Sequence, residues 1–148
     1  MLFRSWIAAL RVTGKKVSFT NGCFDIIHPG HLFSLQQAAD QADFLIVGLN
    51  SDASVRKLKG PTRPINSTES RALVLAHLVV VDAVVVFEEE TPLELISALL
   101  PDVLVKGGDY TLEQVVGSKE VIAQGGKVII NPIVEGFSTT QLIEKIKK

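Results

Sequence analysis

Val17-Ser18-Phe19-Thr20-Asn21-Gly22-Cys23-Phe24-Asp25-Ile26-Ile27-His28-Pro29-Gly30-His31 is the stretch whose reading decides the fold. Its first four residues form an apolar run that reads as a buried strand, and residues 32–40 behind it read as a helix. Two histidines three positions apart therefore sit where a strand ends and a helix begins. Proline suits the first turn of a helix, where its missing N–H would have no partner, so the helix is expected to start at Pro29. His28 and His31 then share one side of its N-terminus. Free N–H groups and a partial positive charge make such a terminus suited to phosphate. Paired imidazoles add donors that can follow charge developing on that phosphate. The stretch points to chemistry at a nucleotide phosphate.

Moving outward, short apolar, β-branched runs recur at 17–20, 44–49, 79–87, 103–105 and 128–130. They do not alternate, as expected of strands covered on both faces. Helical patterns fall between and after them, at 29–41, 67–77, 92–100, 111–124 and 138–147. Strands alternating with helices predict an α/β, Rossmann-like fold: one five-stranded parallel sheet with helices on both faces. Ser67, Thr91 before Pro92, and the capping-box pairs Thr111/Gln114 and Ser138/Gln141 mark helix starts. Gly125-Gly126 marks a helix end. The first residues, with Leu2, Phe3, Trp6, Ile7 and Leu10, suggest an apolar-faced helix over 1–12, on the sheet edge or at an oligomer interface. Residues 58–66 read as the one substantial loop, and it is basic.

Composition sets the limits. A chain of 148 residues with 47% apolar residues has room for one core, so residues 1–148 are expected to form a single domain. A net charge of −1 with scattered Lys and Arg disfavours bulk nucleic-acid binding. The apolar runs are too short to span a bilayer, and the start Met1-Leu2-Phe3-Arg4-Ser5-Trp6 lacks the order of a signal peptide. One cysteine precludes an internal disulfide and leaves no Cys cluster for zinc. A soluble, cytoplasmic protein without membrane or nucleic-acid partners is expected.

In open parallel sheets ligands bind beyond the carboxyl ends of the strands. Four polar clusters fall at such ends: 21–31, 50–52, 106–110 and 131–140. The start Ser138-Thr139-Thr140, after Gly136, reads as a second phosphate-holding helix N-terminus. In Lys106-Gly107-Gly108-Asp109-Tyr110 the glycines make either a plain turn or a close approach for a base or ribose. Lys57, Lys59 and Arg63 are either a solvated loop or a hold for an anionic second substrate, and Arg71 opens the helix beyond them. Cys23 reads as a small residue in a tight turn, with no Cys-His-acid arrangement to activate it. No G-x-G-x-x-G opens the first crossover and no G-x-x-x-x-G-K-[ST] occurs, which disfavours dehydrogenases and P-loop kinases.

Thr20-Asn21-Gly22-Cys23-Phe24-Asp25 followed by His28-Pro29-Gly30-His31 resembles the nucleotidylyltransferase superfamily with its H-x-G-H signature. The runs 50–55, 58–64 and 105–110 and Ser138-Thr139-Thr140 narrow the resemblance to the heptose 1-phosphate adenylyltransferases, in their stand-alone form. Pro29 departs from the small residue many relatives carry there. The resemblance implies transfer of AMP from ATP to D-glycero-D-manno-heptose 1-phosphate, giving ADP-heptose and pyrophosphate for lipopolysaccharide core or surface glycans. It implies Mg²⁺ carried with ATP, a separate sugar kinase upstream, and a homodimer or higher oligomer. His28 and His31 are then catalytic. Thr20, Asn21, Gly22, Cys23, Phe24, Gly107, Asp109, Ser138, Thr139 and Thr140 bind the nucleotide, and Asp25, Lys57, Arg63 and Arg71 face the sugar phosphate. A cytidylyltransferase using CTP and glycerol 3-phosphate or a similar alcohol phosphate shares the same histidines and sheet. A non-catalytic nucleotide-binding module is the rival of another class.

Overall fold

A computed structural model describes residues 2–148. Five parallel strands form one sheet in the order β3-β2-β1-β4-β5. They are β1 (Val17–Gly22), β2 (Phe44–Asn50), β3 (Ala83–Phe87), β4 (Val103–Gly107) and β5 (Lys127–Asn131). Seven α-helices accompany them: α1 (Leu2–Val12), α2 (Pro29–Ala39), α3 (Asp52–Lys59), α4 (Thr68–Ala76), α5 (Leu93–Leu99), α6 (Ser118–Ala123) and α7 (Thr139–Lys147). A 3-10 turn occupies Leu112–Gln114.

Successive side chains of a strand point to opposite faces, and the core divides accordingly. Leu45, Val47, Leu49, Val103 and Val105 pack with Leu35 and Ala38 of α2 and Leu75 of α4. Phe19, Ile46 and Leu104 face the other way, against Ile7 of α1, Ile96 and Leu99 of α5 and Val121 of α6. This two-sided burial explains why the strands read as continuous apolar runs.

The strand order reverses between β1 and β4, the position where such sheets bind ligands. Their register joins Ser18 to Val103 and Phe19 to Leu104, whereas β1 and β2 pair along all six residues from Val17 to Gly22. The carboxyl ends of β1 and β4 thus open a crevice.

Four local expectations are corrected. The run 79–87 begins as strand only at Ala83: residues 77–81 turn out of α4 through the bonds His77 N to Val74 O and Val81 N to Leu78 O. Val79 is fully exposed there, while Leu78, Val80 and Val81 lie against the core. The pattern 111–124 breaks into the 3-10 turn and α6, because Gly117 at φ +85° reverses the chain. Part of the segment read as loop is α3, N-capped by Ser51, whose hydroxyl accepts from Ser54 N at 3.2 Å, and ended by Gly60 at φ +100°. Thr91 is not the cap of α5, which starts at Leu93 after Pro92.

The apolar helix expected over 1–12 is seen as α1; Met1 and the side chain of Leu2 lie outside the described residues. Its apolar face is spent on its own chain. Ile7 is buried, and Trp6 meets Phe44 edge-on with ring centroids 5.8 Å apart. Arg11 donates to the carbonyls of Leu99 and Leu100 at the end of α5. α1 thus packs an apolar face against its own sheet, while Ala8, Ala9 and Val12 stay exposed. Among the described residues no helix is long and apolar enough to cross a membrane.

Candidate active site

The turn after β1 is built under strain. Phe24 (φ 47°) and Ile26 (φ 53°) both occupy the left-handed region, at about 1–3 kcal/mol each for residues with a side chain. Asp25 between them holds the turn. Its carboxylate accepts the N–H of Ile65 at 2.6 Å, the N–H of Asn66 at 3.0 Å and Arg63 Nε at 3.4 Å. Its carbonyl accepts Thr139 Oγ1 at 2.9 Å. One residue thereby joins the β1 turn, the 60–66 loop and the start of α7. Being only 1% exposed, with its carboxylate so occupied, Asp25 organises the site from beneath.

His28 is the N-cap of α2 and His31 its third residue. The backbone N–H of His28 donates to His31 Nδ1 at 3.2 Å. An Nδ1 that accepts leaves the proton of the neutral ring on Nε2. The two imidazoles stack with centroids 3.8 Å apart. Phe24 lies 5.6 Å from His31, and Phe137 lies 6.0 Å from His28. Burial, followed by the neighbouring His28, pushes His31 down to about 4 against the opposing pull of Asp25. Burial also lowers His28. Both rings are neutral donors at neutral pH before any anion arrives.

They face a cavity of about 790 Å³, in the range of small-molecule sites. Asn21, Gly22, Cys23 and Phe24 from β1 and its turn line it, as do Asp25 and Arg63. Ser138, Thr139 and Thr140 bring the start of α7, where the Ser138 hydroxyl accepts from Gln141 N at 3.4 Å. Thr20 is buried inside β1, and Gly107 and Asp109 flank the cavity while their neighbours Lys106 and Tyr110 line it.

Two expected cations are placed elsewhere. Lys57 is exposed on α3 and outside the lining, which Lys59 reaches instead. Arg71, 2% exposed, is consumed by the scaffold. Its Nη1 donates to the carbonyls of Cys23 and Asn50, each at 2.8 Å, and its Nε to Asn66 O at 2.9 Å. Its Nη2 pairs with Asp52 at 2.8 Å and donates to Thr68 Oγ1 at 3.4 Å. Arg71 ties together the ends of β1 and β2 and has no donor left for a sugar phosphate.

Sequence reading passed over Lys106. It lies on the face of β4 that carries Leu104, half-buried in the cavity wall, with Nζ 5.6 Å from the centre of the Tyr110 ring. Burial and the nearby Lys59 lower its pKa, against Cys23. It makes no ion pair among the described residues, whose bridges are Arg63–Asp25 and Arg71–Asp52. A lysine among the last residues of a strand opening onto the switch point was the available signal.

Among the described residues no cluster of three His, Cys, Asp or Glu is placed to hold a metal ion. The lining sets Lys59, Arg63, Lys106 and the hydroxyls of Ser138 and Thr140 beside two carboxylates, Asp25 and Glu90, the first of them already occupied by Arg63 and two backbone N–H groups, a set suited to a metal carried on phosphate oxygens and water.

A parallel sheet ordered 3-2-1-4-5, with stacked histidines at the first crossover and a hydroxyl-rich helix start after the last strand, defines a nucleotidyltransferase domain. The chain belongs to the cytidylyltransferase-like family, whose model matches residues 19–145. It is 60% identical over 136 residues to the bifunctional protein HldE of Caulobacter vibrioides, covering 92% of this chain and 28% of that one. It is 59% identical over 136 residues to HldE of Paramagnetospirillum magneticum, with the same coverage. The chain thus spans a little over a quarter of the length of these curated relatives. Among solved structures it resembles the lipopolysaccharide core biosynthesis protein of Thermoplasma volcanium at 26% identity, with a TM-score of 0.66 over 82% of this chain and 98% of that one. Pantoate-beta-alanine ligase of Francisella tularensis, at 16% identity and a TM-score of 0.57 over 97% of this chain and 75% of that one, shares the fold.

Proposed function

We propose that the protein transfers AMP from ATP to D-glycero-D-manno-heptose 1-phosphate, releasing pyrophosphate and ADP-heptose for lipopolysaccharide core or surface glycans. The observation that carries this reading is the pair of stacked, neutral imidazoles at the start of α2, opening on a cavity that also receives the start of α7 and the ammonium groups of Lys59 and Lys106. The sequence pattern shared with heptose 1-phosphate adenylyltransferases and the identity to the HldE proteins support the sugar assignment.

The phosphate oxygen of the acceptor attacks the α-phosphorus of ATP, and the bond to the bridging oxygen of pyrophosphate breaks on the opposite side. The nucleophile is already an anion, so catalysis is positioning and charge stabilisation. His31 Nε2–H and His28 donate to non-bridging and leaving oxygens as charge builds there. The N–H groups at the start of α7, with the hydroxyls of Ser138 and Thr140, hold the phosphates, while the Thr139 hydroxyl, donated to Asp25 O, fixes that start in place. Mg²⁺, held on phosphate oxygens and water and not by a set of side chains, would supply further positive charge to the triphosphate. Lys106 and Lys59, with Arg63 beside them, meet the acceptor phosphate; Lys106 stands on the sheet face opposite α2, so two anions can be held from two sides. Asn21, Gly22, Cys23 and Phe24 border the path, and Gly107 and Asp109 shape the turn beside it.

The reaction is tested by incubating the protein with heptose 1-phosphate and either ATP or CTP and following pyrophosphate. Release with ATP, and ADP-heptose as the product, is expected. Preference for CTP with glycerol 3-phosphate would overturn the assignment, and ATP binding without release on any sugar phosphate would reduce the domain to a nucleotide binder. Gel filtration with light scattering tests the expected homo-oligomer.

A further inference from the structure

The two histidines are fixed by different means. His31 is anchored by its Nδ1, whereas His28 Nδ1 is buried with no hydrogen-bond partner. Two rings neighbour that of His28 instead. His31 stacks on it with planes 27° apart, and Phe137 lies near it with planes only 15° apart. Gly30 leaves the space for this: a Cβ there would stand 2.9 Å from His28 Cε1 and 2.9 Å from Phe137 Cβ. Phe137 is 43% exposed, more than a ring recruited for core burial would be. It directly precedes Ser138, the cap of α7, and Thr139 is tied to Asp25 O.

We propose that Phe137 is a positioning residue for His28: the segment that presents the start of α7 to the nucleotide also carries the flat surface that sets the imidazole. Phosphate holding and ring orientation then arrive on the same short run, 137–140. A flat ring at 137 is required, and a branched aliphatic of similar volume does not replace it. The inference rests on His28 acting at the triphosphate, as in the function proposed above.

Phe137→Leu and Phe137→Tyr are made in the wild-type and His28→Ala backgrounds. Phe137→Leu is expected to lower kcat roughly 10–100-fold, the scale of a slight misplacement of a reacting group, with KM for the nucleotide nearly unchanged. Phe137→Tyr keeps near-normal kcat, and Phe137→Leu adds nothing once His28 is alanine. A second reading needs no acceptor. The chain has three histidines, so its imidazole C–H resonances are readily assigned, and Phe137→Leu is expected to shift those of His28 by removing a ring current. Should Phe137→Leu lose its native circular dichroism, Gly30→Ala, which pushes a methyl between the same two rings, is expected to give the same selective loss of kcat. Multiplicative losses in the double variant, a tyrosine variant as poor as leucine, or unmoved His28 resonances would overturn the proposal. A protein inactive on heptose 1-phosphate whose His28 resonances nonetheless shift would overturn the substrate reading alone.

Discussion

His31 accepts the backbone N–H of His28 and stacks on its ring with centroids 3.8 Å apart, so the N-cap and the third residue of one helix form a single unit. If both imidazoles donate mainly as charge develops, either His→Ala change lowers turnover by about 10²–10³, the loss typical of one oxyanion donor. Nucleotide affinity, by equilibrium binding, changes far less. Turnover near the wild-type value in the doubly substituted protein would refute the assignment.

The same unit makes stability depend on pH. The ring of His31 titrates near 4 in the folded protein and near 6.5 in the unfolded chain. The unfolded state therefore binds more protons between these values, and stability falls as pH drops through that window. Above about 6.5 this linkage is flat. Melting temperatures from pH 7 to 4 should fall more steeply for wild type than for His31→Gln, and parallel curves would contradict the sign.

Arg71→Met leaves the carbonyls of Cys23, Asn50 and Asn66 and the carboxylate of Asp52 without a guanidinium. Loss of one partner from such a buried set costs about 3–5 kcal/mol. Arg71→Lys cannot restore the fork of donors and is expected to recover little of it. Urea unfolding measures both, and a Lys variant equal to wild type would show that charge alone suffices.

Lys106→Gln is expected to raise KM for the sugar phosphate roughly tenfold or more, in line with the loss of one charge-assisted contact, and to leave KM for ATP nearly unchanged. Equal rises in both constants would place Lys106 on the triphosphate instead.

Gly117 sits at φ +85°, and a Cβ there would lie 2.7 Å from Ile96 Cγ2. Gly117→Ala combines backbone strain with overpacking and should destabilise by roughly 1–3 kcal/mol. Urea midpoints decide it, and an unchanged midpoint would mean that the α5–α6 contact yields freely.

The sheet and the histidine pair were legible because both depend on local pattern: apolar runs bounded by polar clusters, and proline placed between two histidines. α3 was missed although Ser51, Asp52 and Gly60 are ordinary start and stop signals, since its exposed basic side chains look like a loop. The break at Gly117 has a local signal in the glycine itself, but the close approach of Ile96 that leaves no room for a side chain there comes from about twenty residues away, outside any window around it. Arg71 looked like a ligand because only the folded state shows three strand-end and loop carbonyls converging on it. Phe137 and Gly30 owe their roles to a ring delivered from the other end of the chain.

The bond from Thr139 to Asp25 spans 114 positions of sequence. The wall that α7 gives the pocket is thereby fastened to the β1 turn by groups that no local stretch of chain brings together. The cleft's shape is therefore a property of the whole fold and not of the strand-turn-helix unit that carries the histidines.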